Sequence, residues 1–235
     1  MEHGSAAGVG ISFEAEGHIV IAPDMPGHGA DDMPISEQDL EKYARAVEAL
    51  ITPLEEPVIL VGHSFGGMII SQAACYVPSK IKKLVYISAF LPQNGQSCVG
   101  ITKEIHPTFH EKIIASGHDF IISADGKTSR VEPTLYAEFV YNDIPKDEAL
   151  IIAGRFGRES NAAQNQAVAL NDKFNDIPKV YVRCTMDKVV EQKLEQKLQD
   201  KMISETYCGE VYTLETGHCP FESAPNSLAD ILLRL

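Results

Sequence analysis

Positive charge is what this chain has least of. Its 20 Lys and Arg face 33 Asp and Glu, a formal net charge of −13. Nucleic acid and anionic membranes are therefore not expected partners, because both select a basic surface. No apolar run reaches the length of a membrane span, and no secretory leader is expected. The five cysteines, Cys75, Cys98, Cys184, Cys208 and Cys219, form no Cys-x-x-Cys pair and no metal-like spacing. Their pattern predicts reduced thiols and a cytoplasmic location rather than a disulfide framework. What the chain does have is apolar mass. Such residues make up 44% of the 235, enough for a sizeable core in a single α/β unit.

The most informative stretch is Leu60-Val-Gly-His-Ser-Phe-Gly-Gly67. The short apolar run from Val58 to Val61 predicts a buried parallel strand, and Met68 to Val77 reads as the start of a helix. Between them Gly62 and Gly66 bracket Ser64 as Gly-x-Ser-x-Gly. A sharp strand-to-helix turn of this kind forces its central residue into strained backbone geometry, and its flanking glycines allow the strand and helix to approach closely. The serine hydroxyl is then exposed at a helix N-terminus, where backbone N–H groups can hold a developing oxyanion.

Strand and helix patterns alternate around this turn, which predicts a mostly parallel, doubly wound sheet. His18–Ala22 reads as a strand entering the turn Pro23–Gly29. Ser36-Glu-Gln-Asp39 reads as a capping box for a helix whose inner face carries Leu40, Ala44, Val47, Leu50 and Ile51. Strands are expected over Lys83–Phe90, Lys179–Cys184 and Glu210–Leu214, and helices over Glu191–Met202 and Asn226–Leu235. From residue 92 to residue 176 the rhythm stops. That stretch, with its scattered aromatics Phe109, Phe120, Tyr136, Phe139, Tyr141 and Phe156, is expected to be a lid inserted between two parts of the core, 1–91 and 177–235.

A nucleophilic serine needs a base and an acid to orient that base. In doubly wound hydrolases the acid and then the histidine follow the serine along the chain, on loops at the C-terminal ends of strands. Asp187, just beyond Cys184, and His218, just beyond Leu214, occupy such loops. Glu215 and Asp172 are weaker rivals for the acid. The other histidines fit less well. His63 is expected to point away from Ser64, His28 lies in an early turn, His106, His110 and His118 belong to the lid, and His3 and His18 precede any catalytic strand. Cys219, beside His218, reads as packing.

From about Gly17 to its end the chain resembles the α/β-hydrolase fold, and within it the methylesterase and hydroxynitrile lyase family, which includes plant methyl salicylate esterases and bacterial relatives. The resemblance is carried by Gly17-His through Gly-His-Gly29, Val61-Gly-His-Ser-Phe-Gly-Gly67, Lys83–Pro92, Val140-Tyr-Asn-Asp143, Lys179–Lys188 and Gly217-His-Cys-Pro220. It implies Ser64 as nucleophile, Asp187 as orienting acid, His218 as base and the Phe65 N–H as one oxyanion donor.

Two departures from the family pattern bear on function. The lyases carry a lysine directly after the catalytic histidine, and this chain has the uncharged Cys219. Family members also open with a central apolar strand and a His-Gly turn that supplies the second oxyanion N–H. Here only 12 residues separate Gly4 from Gly17, so that strand is expected to be missing or shortened. If His3-Gly4 is its remnant turn, Ser5 N–H is the second donor. The expected activity is that of a serine carboxylesterase acting on small apolar or aromatic methyl esters through an acyl-enzyme, with no metal or cofactor. The alternatives are a hydrolase-like ligand-binding protein without turnover and a hydroxynitrile lyase. The oligomeric state is left open, a homodimer included.

Overall fold

The computed structural model describes residues 13, 14, 16–105, 120–190 and 198–235. The expectations placed on His3-Gly4, Ser5, the shortened first strand, His106, Phe109, His110, His118 and the first turns of the Glu191–Met202 helix lie outside the described residues. Helix is present over Leu198–Glu205.

Four parallel strands form the main sheet in the order β1 (Val58–His63), β2 (Ile81–Ile87), β6 (Lys179–Cys184), β7 (Glu210–Leu214). Because side chains alternate across a strand, β2 and β6 serve two cores at once. Leu84, Tyr86 and Tyr181 face the helices Leu40–Ile51 and Gly66–Ala74. Val85, Ile87, Val180 and Val182 face the closing helix Pro225–Leu232 through Leu228, Ala229 and Ile231. Tyr86 and Tyr181 bury polar tips without loss, since Tyr86 Oη lies 2.8 Å from Ser71 Oγ and Tyr181 Oη donates to the Ala89 carbonyl at 2.7 Å.

The βα rhythm does stop between β2 and β6. The intervening chain forms short helices and a separate antiparallel sheet of β3 (Phe120–Ile122), β4 (Thr128–Val131) and β5 (Glu159–Ser160). It is tied back to the core by Ser160 Oγ, which donates to the Gln38 carbonyl at 2.6 Å, and by Gln166 Oε1, which accepts from Leu40 N at 2.8 Å. Tyr136 and Phe156 stack with ring centroids 4.8 Å apart, so these two expected lid aromatics pack on each other.

Several local expectations need correction. His18–Ala22 has the composition of a strand but forms none; an apolar run becomes a strand only by pairing, and no described residue pairs with it. Ile19 is 91% exposed. Val58–Val61 is a strand but not a buried one, since Ile59 and Val61 are exposed and β1 is the edge of the sheet among the described residues. The helix after Pro34 starts at Leu40, with Asp39 rather than Ser36 as its cap: Asp39 accepts from Lys42 N at 2.8 Å, and residues 35–37 make a separate 3-10 turn. Leu50 lies outside the apolar stripe, where Tyr43 is buried instead.

The glycines around Ser64 divide unexpectedly. A Cβ on Gly62 would lie 2.7 Å from the Gly66 carbonyl oxygen, and one on Gly67 would lie 2.0 Å from that of Phe90, whereas one on Gly66 would meet nothing within 4 Å. The close approach of helix to sheet therefore depends on the missing Cβ atoms of Gly62 and Gly67, whereas Gly66 takes part through its carbonyl and has room for a side chain. Gly67→Ala is expected to cost about 3 kcal/mol of stability by overpacking. Gly66→Ala should stay within about 0.5 kcal/mol of the parent chain. Urea unfolding midpoints of the two variants check this ordering.

Candidate active site

The register of the sheet explains how distant residues meet. His63 pairs with Ile87, Ile87 with Val182, and Cys184 with Leu214. Ser64, Ser88, Asp187 and His218 thus all follow the C-terminal ends of adjacent parallel strands, the rim where open α/β sheets gather their chemistry. At about 4.8 Å per strand, β1 and β7 lie about 14 Å apart, so the β7 loop must fold back over the sheet to reach β1. It does. The His63 and His218 rings lie 4.6 Å apart between centroids, and His63 Nε2 is 2.8 Å from the His218 carbonyl oxygen.

Ser64 has φ of 51°, and Ser88 has φ of 42°; they are the two non-glycine residues of positive φ among those described. Left-handed backbone costs a non-glycine residue on the order of 1–2 kcal/mol, so each is held there by its surroundings. The Ser64 carbonyl accepts from Phe90 N and from Gly67 N, both at 3.1 Å, which fixes the turn into the helix Gly66–Ala74. The Phe65 N–H directly precedes that helix. The side chain of Ser64 makes no hydrogen bond among the described residues.

Asp187 and His218 are brought into contact. Asp187 Oδ2 lies 2.9 Å from His218 Nδ1, and the two side chains are 0% and 3% exposed. Burial alone would push the Asp187 carboxyl up. His218, the Ser88 hydroxyl and the Val189 N–H outweigh it and hold the carboxyl below its ordinary range. The donors come from several directions. Val189 N and Val190 N give to Oδ1 at 2.6 and 3.1 Å, and Ser88 Oγ and Gln199 Nε2 give to Oδ2. Gln199, itself fully buried, is fixed by bonds to both the N–H and the carbonyl of Cys184, each at 3.0 Å.

The rivals fall away. Glu215 and Asp172 are exposed, and no hydrogen bond or ion pair joins either to His218. His18 is exposed, and His28 sits 3.1 Å from the Tyr43 hydroxyl. His63, expected to point away from Ser64, packs on His218 and Phe221, and burial lowers its pKa to about 3. Ser88 and Gln199 were not anticipated. Ser88 lies just beyond β2 as Asp187 lies just beyond β6, but the strand expected over Lys83–Phe90 enclosed it, whereas β2 ends at Ile87. Gln199 gives no sequence signal at all. Burial keeps the Cys219 thiol well above its ordinary pKa, hence neutral. A surface cleft of about 440 Å³, bordered by Asn94, Phe174, Lys179 and Tyr207, takes in Asp172 but none of Ser64, Asp187 and His218.

The profile of the alpha/beta hydrolase family matches residues 3–231. The chain belongs to the α/β-hydrolase family. It is 26% identical over 232 residues to putative methylesterase 11, chloroplastic, of Arabidopsis thaliana, covering 95% of this chain and 58% of that protein. To the pyrethroid hydrolase of Sphingobium wenxiniae it is 26% identical, covering 94% of this chain and 78% of that one. It spans 51% of putative methylesterase 15 of the same plant, so it is about half the length of some curated relatives it matches. Among solved structures, the Arabidopsis methylesterase MES16 superposes with a TM-score of 0.80 at 21% identity, over 98% of this chain and 92% of that one. Tomato methylketone synthase I superposes with a TM-score of 0.82 at 20% identity, over 98% and 91%.

In this α/β hydrolase the role of Ser88 can be isolated, because Ser88→Ala keeps the left-handed backbone penalty and removes only the hydroxyl. Asp187 has a depressed pKa in the folded state. Its contribution to stability is therefore present above the ordinary carboxylate pKa of about 3.9 and is lost as pH falls through the folded value. Ser88→Ala should destabilise the protein by about 1.5–3 kcal/mol at pH 7, with the difference shrinking as Asp187 becomes protonated. Urea unfolding between pH 7 and pH 3 measures it.

Proposed function

We propose that the chain is a carboxylic ester hydrolase for small apolar or aromatic esters, methyl esters among them, working through Ser64, His218 and Asp187. The observation that carries this reading is the buried 2.9 Å His218–Asp187 pair at the rim where Ser64 stands in a left-handed turn. Such a pair fixes the tautomer of the imidazole, leaving Nε2 free to take a proton and Asp187 to stabilise the imidazolium that results. The names of the methylesterase and pyrethroid hydrolase relatives support the same class of reaction.

In the proposed sequence Ser64 Oγ attacks the ester carbonyl as His218 takes its proton. The tetrahedral oxyanion is held by the Phe65 N–H and, on the family resemblance alone, by the Ser5 N–H. His218 returns the proton to the departing alcohol. Water activated by the same imidazole then releases the acid. Segment 92–176 is read as the lid that selects the substrate. No lysine follows His218 to receive cyanide, and the thiol in that place is neutral, which disfavours lyase chemistry.

A second reading, a ligand-binding protein that no longer turns over, is favoured by one observation: the Ser64 side chain is not hydrogen-bonded to His218. Catalytic hydrogen bonds are often loose before substrate binds, so the hydrolase reading stands ahead of it. A fluorophosphonate should add to Ser64, seen as a mass increase mapped to its peptide. Ser64→Ala should abolish the adduct and lower ester turnover at least about 1000-fold. Equal turnover by both chains would instead support the binding protein.

A further inference from the structure

Three consecutive residues of the inserted segment, Tyr141, Asn142 and Asp143, between them anchor the two loops that carry Asp187 and His218. The Asn142 side-chain amide donates to the Met186 carbonyl at 3.1 Å, and Asp143 Oδ2 accepts from Gly217 N at 2.5 Å. Met186 directly precedes Asp187, and Gly217 directly precedes His218. The loops are also tied to each other, since Met186 N donates to the Thr216 carbonyl at 2.9 Å. Tyr141, 2% exposed, packs with Cys219 on the far side of His218. Anchors therefore flank the histidine and abut the aspartate, in each case on the backbone next to the reacting side chain.

The fit leaves no room for slack. A Cβ on Gly217 would lie 2.6 Å from Asp143 Oδ1 and 2.7 Å from Asn142 Oδ1. Asn142 Oδ1 is itself buried without a hydrogen-bond partner. A buried acceptor left unpaired costs on the order of 1–3 kcal/mol, so this strap is not arranged for its own best stability.

We propose that Asn142 and Asp143 are positioning residues: they set the spacing of the Asp187 and His218 loops, and through them the seating of the inserted segment governs the rate of the reaction. Neither residue touches the imidazole or the carboxylate; both act through the peptide units on which these are mounted. A small displacement of a mounted base is enough to cost rate heavily, whereas substrate binding is left nearly as it was.

This inference rests on the hydrolase reading, and its test includes an arm that does not. In the full chain, Asp143→Ala is expected to lower kcat for a p-nitrophenyl ester by about 10-fold or more. KM should stay within about 3-fold, the signature of an interaction that matters mainly in the transition state, and the thermal midpoint should fall by only a few degrees. Asp143→Asn keeps an oxygen for the Gly217 N–H and should restore most of the turnover. Asn142→Ala removes the other anchor and should show the same kcat loss, which keeps the test alive if Asp143→Ala does not fold. The independent arm is the His218 Nδ1 proton, followed by NMR with labelled histidine. Its downfield resonance, which needs only the imidazole–carboxylate pair, should broaden or vanish in Asp143→Ala and persist in Asp143→Asn. Unchanged kcat and an unchanged resonance in both alanine variants would overturn the proposal, as would losses that track thermal stability with no rescue by asparagine. If the parent chain shows no Ser64-dependent turnover, the hydrolase reading fails and the resonance alone decides.

Discussion

The rim of the sheet is organised around a carboxylate that cannot reach water. Asp187 is fully buried, and leaving such a charge without donors would cost several kcal/mol. The fold answers from four separate places: the N–H groups of its own loop, a hydroxyl at the end of β2, an amide on the helix Leu198–Glu205, and the imidazole on the loop after β7. Each donor commits a different element to one point in space. The left-handed backbone of Ser88 is intelligible on this ground, because the hydroxyl must turn inward from a strand end to meet the charge.

Gln199 shows how far the constraint spreads. Its amide reaches Asp187, but most of its hydrogen bonds go to the backbone of Cys184 and to the Val190 carbonyl, on either side of the acid. It closes the Asp187 loop against the end of β6 and so makes a loop behave like part of the sheet. A carboxylate fixed this firmly can in turn fix an imidazole, which is what catalysis by a histidine base requires.

Much of this was legible in the chain, and the reason is topological. In a parallel sheet every strand delivers its next residues to the same edge, so locating strand ends locates candidate chemistry without any knowledge of contacts. That is why Ser64, Asp187 and His218 could be named from three short apolar runs. The same reasoning could not see Gln199, which lies on a helix rather than at a strand end, nor the part of His63, whose ring is reached only because the β7 loop folds back over two intervening strands. Local patterns failed where a choice hinged on an ångström or on a partner. Gly66 looked like the second required glycine until the Phe90 carbonyl showed that Gly67 is. Asp39 won the helix cap from Ser36 because the preceding turn closes as a separate 3-10 turn. His18–Ala22 had the right residues for a strand, yet composition cannot supply the neighbour that a strand needs.

The electrostatics of the rim bear on which chemistry it suits. His63 is held neutral by burial and by the neighbouring imidazole, and the Cys219 thiol is held neutral by burial. The ring and the thiol nearest His218 thus carry no charge at neutral pH, and Asp187 stands as the charge at 2.9 Å from the imidazole. Under the proposed mechanism, an imidazolium formed during attack on an ester would meet its countercharge in Asp187. A departing cyanide would find neither a lysine in the place of Cys219 nor a charged thiol. A buried carboxylate hydrogen-bonded to the imidazole favours a step that creates a transient cation at His218, and proton abstraction from a serine hydroxyl is such a step.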